Sequence, residues 1–321
     1  WLTPHTQIIH DRVQIEIARG CPNSCTFCQA RCFYYPYRQR SPEKIKELID
    51  KIYKNSGYSD FSFLSLSASD YSGIEDLIDS NYDFFKNNHI GLSLPSLRID
   101  DLIGKLYQKL ASLKKTALTI AIETPRDSLR RSLNKKIEIQ KLFDAVGVIR
   151  SLGIRNLKLY FMFGFPGEEE EDLIAIGEFL NRLSRISKLS LSVSINIFIP
   201  KPFSIWENVA MDDERVLNSK GQIIFNSIPK RRDIKIAISS LKKSIFEAVL
   251  SRGSRELSAV IYRAFTKGAK FDSYKEHFSW KIWEESFKEE EIDYSFYLKA
   301  GTINFPWSFI KSSDPKQNKK S

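Results

Sequence analysis

Cysteine is absent from nearly all of this 321-residue chain: Cys21, Cys25, Cys28 and Cys32 are the only four. A disulfide framework spreads its cysteines to close loops, so that architecture is excluded and no disulfides are expected. Clustered thiols without distant partners fit a reducing compartment, and a cytoplasmic location is the expectation. No apolar run approaches the ~18–20 residues that cross a bilayer, which predicts no membrane insertion. Histidine is scarce, and His5, His10, His89 and His277 have no ligand spacing. No internal repeat or low-complexity tract stands out.

The chain opens on Trp1 rather than methionine, and no secretory leader is expected from its first residues. It therefore reads as a piece of something longer, with residues 1–8 as the expected linker remnant of an N-terminal domain. Hydrophobic content of 42% and charge of 27% are those of a globular protein able to bury a sizeable core. The net charge of +10 admits an anionic partner, although lysine-rich solvated faces account for it equally well.

Strand-like and helix-like stretches alternate. "VQIEIA" (13–18) is β-rich. "SPEKIKELIDKIYKN" spaces Ile45, Leu48, Ile49 and Ile52 at a helical period, with Ser41 as N-cap and Pro42 in the first turn. Further strands are expected at 61–67, 90–96, 117–123, 157–164 and 189–200. Helices are expected over "GIEDLIDSNYDFF", from about Asp100, around 137–151, and over "EEEEDLIAIGEFLNRL". Several strands read as apolar on both faces, as parallel strands under helices do. Six β-then-α units predict an α/β fold, a partial (β/α)6 TIM-like barrel over residues 9–240. "DIKIAIS" (233–239) is one more candidate strand. Residues 241–310 are expected to form a mainly helical extension broken at Gly253, with Trp280, Trp283 and Trp307 as packing residues. Residues 311–321 read as a flexible basic tail. Barrel chemistry sits at the C-terminal ends of strands, here the loops after residues 18, 66, 94, 123, 162 and 197.

The cysteines follow the first strand as C-x3-C-x2-C. Thiolates suit zinc or iron–sulfur groups. Structural zinc sites gather two ligand pairs across a longer loop. Three thiolates on one short loop can instead cap three corners of a cubic 4Fe–4S cluster, leaving the fourth iron open. The alternative is a non-enzymatic iron–sulfur or zinc protein with all four cysteines as ligands. It accounts for Cys32 but not for the barrel order or for Glu123, a carboxylate ending an apolar strand.

The motif Cys21-x3-Cys25-x2-Cys28, with Phe27 before its last cysteine, resembles the signature of the radical S-adenosylmethionine (SAM) superfamily. The resemblance implies a 4Fe–4S cluster held by Cys21, Cys25 and Cys28, with Cys32 outside it, and an open iron that binds SAM. It implies an enzyme, a transferase or oxidoreductase, that cleaves SAM to a 5′-deoxyadenosyl radical with an electron from a partner such as flavodoxin or ferredoxin. "IIHDRVQIEIARGC", "SLPSLRID", "NIFIPKPFS", "SRGSREL" and "FPWSFI" further resemble bacterial radical SAM proteins that carry an N-terminal cobalamin-binding domain. The barrel is also similar to methylthiotransferase and Elongator-like members. Cobalamin is thus expected only through a domain outside this chain.

On this resemblance the strand-end loops hold SAM. Ser67, Ser69 and Asp70 are candidates for the methionyl amine. Glu123 would accept hydrogen bonds from the ribose hydroxyls or the amine, and Lys135 would meet the carboxylate. The backbone near Met162 and Phe163, in the "GFPGE" strand end, would contact adenine, with Phe198 flanking it. The substrate is unassigned. RNA is one candidate, since "RCFYYPYRQR" interleaves aromatics with Arg31, Arg38 and Arg40. Cobalamin-assisted methylation is another.

Overall fold

The computed structural model describes residues 3–6, 8–94, 109–110, 112–113, 118–301 and 305–310. The helix expected from Asp100 and the tail 311–321 lie largely or wholly outside these residues.

Among the described residues, seven strands run parallel in two sheets. One has the order β1 (Val13–Glu16), β4 (Asp60–Leu64), β5 (Gly91–Ser93). The other has the order β6 (Leu118–Glu123), β7 (Asn156–Phe163), β8 (Ser190–Ile197), β9 (Ile234–Ile238). The candidate strand at 233–239 is therefore real and pairs with β8. Crossover helices separate the strands. α2 (Pro42–Ser56) and α3 (Ile74–Asn87) serve the first sheet. α5 (Ile139–Ser151), α6 (Glu170–Ser187) and α7 (Glu214–Ser227) serve the second. The local chemistry of α2 is as its sequence reads: Ser41 caps the Lys44 N–H, Pro42 opens the helix, and Gly57 ends it with φ +68°.

The 13–18 run divides. After β1 the chain leaves the parallel sheet, and β2 (Ala18–Arg19) pairs antiparallel with β3 (Arg38–Gln39). This small ribbon brackets the cysteine loop and the single helical turn α1 (Ala30–Phe33).

The expectation of strands apolar on both faces needs correcting for β7 and β8. In β8, Leu191, Val193, Ile195 and Ile197 are buried, while Ser190, Ser192, Ser194 and Asn196 are not. In β7, Leu157, Leu159, Phe161 and Phe163 are buried, and Lys158, Tyr160 and Met162 only half so. One face of each strand meets the helices. The other faces an open interior rather than packed side chains.

The helical extension follows β9 as α8 (Leu241–Arg252), α9 (Leu257–Thr266) and α10 (Trp280–Glu289), with Gly253 ending α8. Ile245, Val249, Leu257, Val260, Trp283 and Phe287 join the same apolar core as β6–β8. Arg252, 1% exposed, bonds the Val209 and Lys299 carbonyls at 3.2 and 3.0 Å. It thus ties the end of the extension to the segment before α7.

Candidate active site

The cysteine loop starts at Gly20, whose φ of +92° favours glycine and whose absent Cβ leaves room for the Tyr34 carbonyl, 2.6 Å from where that carbon would lie. Neighbours from three segments then hold the loop. Thr26 N–H donates to Leu133 O at 3.1 Å, and Thr26 O accepts from Trp206 N–H at 3.1 Å. The Asn134 amide donates to the carbonyl and hydroxyl oxygens of Ser24 at 2.9 and 2.7 Å. The Asn23 amide reaches Asp70 Oδ2 at 2.7 Å and Cys21 Sγ at 3.5 Å. The loop is therefore pinned by the segments after β4, β6 and β8, which explains why a short polar stretch keeps one shape.

Beneath it lies a cavity of about 410 Å³ lined by Cys21, Cys25, Phe27, Cys28, Ser67, Glu123 and Lys135 among others. Its inner wall includes Thr119, Ala121 and Tyr160 from the half-buried faces of β6 and β7. Burial pushes the Cys25 thiol up to about 11, against the pull of Lys135, and raises Cys28 as well. Desolvated neighbouring thiols resist ionising together unless a cationic metal group compensates them. Among the described residues no three His, Cys, Asp or Glu side chains are gathered as a single metal ion requires. A polynuclear cluster asks for a different arrangement, each thiolate meeting its own iron, and a soft all-sulfur donor set on one loop fits it.

Glu123 is the most constrained residue of the site. It ends β6 with φ +66°, and the β6–β7 register slips between Ala121 and Glu123. Left-handed backbone at a non-glycine residue costs about 1–3 kcal/mol, and bulges re-aim side chains. Here both features serve a carboxylate only 6% exposed that faces the cavity. Burial raises its pKa, opposed by the Lys135 ammonium 3.2 Å away. Lys135 reaches it because Asp127–Ser132 forms a short helix, α4, and Asn134 turns the chain with φ +50°.

Other expected contacts stand further back. Phe198 is fully buried, its ring 5.5 Å from Phe165 and 5.6 Å from Trp206. Met162 packs against the same small cluster, as does Phe27, which also lines the cavity. Ser69 lies in the 3-10 turn Ala68–Asp70 and Cys32 on α1; neither is among the cavity-lining residues. Asn23, Asn134 and Tyr160 do line it. Tyr160 was readable in principle from the period-2 alternation of "LKLYFMF".

A parallel barrel whose strand ends gather three thiols and a buried carboxylate around one cavity has the build of a metal-dependent barrel enzyme. The superfamily model for radical SAM proteins matches residues 15–180, and the chain belongs to that superfamily. Membership brings a 4Fe–4S cluster and SAM as cofactors. An uncharacterized protein of Methanocaldococcus jannaschii is 32% identical over 247 residues, covering 76% of this chain and 52% of that protein. The ribosomal protein uS12 methylthiotransferase RimO of Desulfotalea psychrophila is 28% identical over 188 residues, covering 56% of this chain and 41% of that enzyme. The chain thus spans about half the length, or less, of these curated relatives. Among solved structures, the radical SAM methyltransferase TsrM of Kitasatospora setae, with cobalamin and a 4Fe–4S cluster bound, superposes with a TM-score of 0.56 at 11% identity. That match covers 87% of this chain and 61% of TsrM, and it supports the fold.

Proposed function

We propose that Cys21, Cys25 and Cys28 hold the 4Fe–4S cluster and that Glu123 and Lys135 receive SAM beside it. The observation that carries this reading is the meeting of the three thiols with the buried Glu123–Lys135 pair on one cavity. When bound, the cluster and SAM supply a 5′-deoxyadenosyl radical that abstracts hydrogen from the substrate. The chain's own residues bind and orient. Lys135 offers a cation to the carboxylate of SAM, and Glu123 offers acceptors to its amine or ribose hydroxyls. The low exposure of Glu123 strengthens such contacts by excluding water. Ser67, 8% exposed at the same cavity, adds a hydroxyl. The apolar cluster of Phe198, Phe165, Trp206 and Met162 braces the wall, with the backbone near Met162 left to adenine. Cys32 stays outside the ligand set, and the barrel occupies residues 9–240 with a helical extension to 310.

The substrate is drawn from two classes, RNA or a molecule methylated with the help of cobalamin on another domain. Methylthiolation by these residues alone is disfavoured, since a second cluster would need cysteines outside 21–32. A reducing partner and a cytoplasmic location complete the reading.

Anaerobically reconstituted protein should hold about four irons and release 5′-deoxyadenosine with dithionite and SAM. Cys25→Ala should lose both, and Cys32→Ser neither. A Cys25→Ala protein with a full cluster and full cleavage would sink the ligand set. Loss of iron in Cys32→Ser would favour the four-cysteine alternative. Lys135→Met should raise the Kd for SAM at least about tenfold, as loss of a charged contact does.

A further inference from the structure

Residues 17–42 contain no aspartate or glutamate and four arginines, Arg19, Arg31, Arg38 and Arg40. Arg19 and Arg38 lie on the β2–β3 ribbon that brackets the cysteine loop, Arg40 follows it, and Arg31 lies on α1. Arg19 and Arg38 are direct partners across the β2–β3 ribbon. Like charges placed opposite each other disfavour such pairing, and the Arg19–Glu16 ion pair at 2.7 Å offsets part of that cost. Glu16 is the acid among them. The Arg19 guanidinium, hydrogen-bonded to it, lowers its carboxyl most, and burial opposes the shift; Arg40 and Arg38 add to the lowering. Three arginines against one glutamate leave the patch cationic. Beside it, α1 buries none of its residues, and Phe33 and Tyr34 stand 56% and 49% exposed. Exposed aromatics rimmed by arginine are the composition of protein-binding surfaces.

The position of this face selects its partner. Arg19 is two residues before Cys21, so their Cα atoms lie within about 7 Å. Arg31 donates to the carbonyl of Pro22 at 3.1 Å. Yet, among the described residues, the groove formed by Glu16–Arg19 and Arg38–Arg40 shares none with the cavity that Glu123 lines. A substrate has to enter that cavity to meet a radical; an electron does not. We propose that α1 and the β2–β3 ribbon form the docking face for a small acidic protein that carries single electrons, of the flavodoxin or ferredoxin class. The carrier is oxidised by one electron at each encounter, and the group held by the cysteine loop accepts it. Such encounters bury little area and depend on charge complementarity for their rate. The proposal rests on the reading of the cysteine loop given above.

The test compares the reconstituted holoprotein with its Arg19→Glu/Arg38→Glu variant. The first readout is direct binding of oxidised flavodoxin at about 20 mM and about 200 mM salt, which brackets strong and weak screening. The Kd should rise about tenfold or more in the variant, and the salt dependence should shrink. The second readout is 5′-deoxyadenosine formation. With flavodoxin, its reductase and NADPH at sub-saturating carrier, the variant should slow by a similar factor. With dithionite, which needs no docking, it should match the parent protein. Tyr34→Asp, a single exposed change, should weaken flavodoxin binding in the same direction. Unchanged Kd and flavodoxin-driven rate overturn the proposal, as does an equal loss with dithionite. So does a variant that loses binding to a short RNA oligomer while keeping flavodoxin, which would give the face to RNA. Failure of the parent protein with dithionite would defeat the cysteine-loop reading instead, and the binding measurement would still decide the docking face.

Discussion

Replacing Glu168 by glutamine should free the protein from part of its loss of stability at rising pH. Glu168 closes the turn that follows β7. Its Oε2 accepts from the Gly164 N–H at 2.7 Å and from Lys220 Nζ at 3.0 Å, and its side chain is 2% exposed. Burial outweighs both partners and pushes the carboxyl from 4.5 up to about 7. The lysine is shifted up too, its own burial opposed by Asp212, 2.8 Å away, and by Glu168. The pair is thus favourable for the lysine and costly for the glutamate. The glutamate governs the neutral range, because it is the more buried partner and the lysine keeps a second carboxylate. Unfolded, Glu168 titrates near 4.5; folded, it holds its proton to about 7. The stability this confers is complete below pH 4.5 and is lost as pH rises through about 7. At about 1.4 kcal/mol per tenfold change in proton affinity, the loss is on the order of 3 kcal/mol. Glutamine keeps an acceptor for Gly164 and Lys220 but has no charge to bury. Urea unfolding followed by circular dichroism at about pH 5 to 8, on both proteins without metal, should show Glu168→Gln gaining roughly 2–4 kcal/mol on the parent as pH rises. A difference that stays level across that window, or that moves toward the parent, refutes the reasoning.

Gly177→Ala should destabilise, although helix propensity alone favours alanine by about 1 kcal/mol. A Cβ there would collide with the backbone and side chain of Ser227, where α6 and α7 cross. A loss of about 1–3 kcal/mol in the same unfolding assay is expected, and a gain would contradict the packing described. Asn134→Ala removes both amide contacts to Ser24 and places alanine at φ +50°. Iron should pass to a chelator several-fold faster from the reconstituted variant, while global stability falls by only about 1–2 kcal/mol. An unchanged chelation rate would mean that other contacts hold the cysteine loop.

Much of the fold was legible because its signals are local. The cap, proline and apolar spacing of α2 sit within fifteen residues. The strand runs at 61–67, 117–123, 157–164 and 189–200 all became parallel strands, and the C-terminal segment became helices. The β2–β3 ribbon was not legible, since each strand is two residues long and depends on a partner about twenty residues away. The alternation of β7 and β8 was visible in the sequence, but only the barrel decided that the less buried face of each looks into an open interior.

The sequence by itself determined that the cysteines are confined to residues 21–32 after the first strand, with Cys21, Cys25 and Cys28 at a C-x3-C-x2-C spacing. It also marked Glu123 as a carboxylate that an apolar strand end does not need. Ligand spacing and burial cost are properties of neighbours in the chain, and so they survive without a structure. Only the tertiary structure decided that Lys135 lies 3.2 Å from Glu123, that Asn134 and Trp206 pin the loop, and that Phe198 is enclosed while Tyr160 faces the cavity. Those are meetings between residues far apart in sequence. They follow from strand register and from how the strand ends converge, which no local pattern encodes.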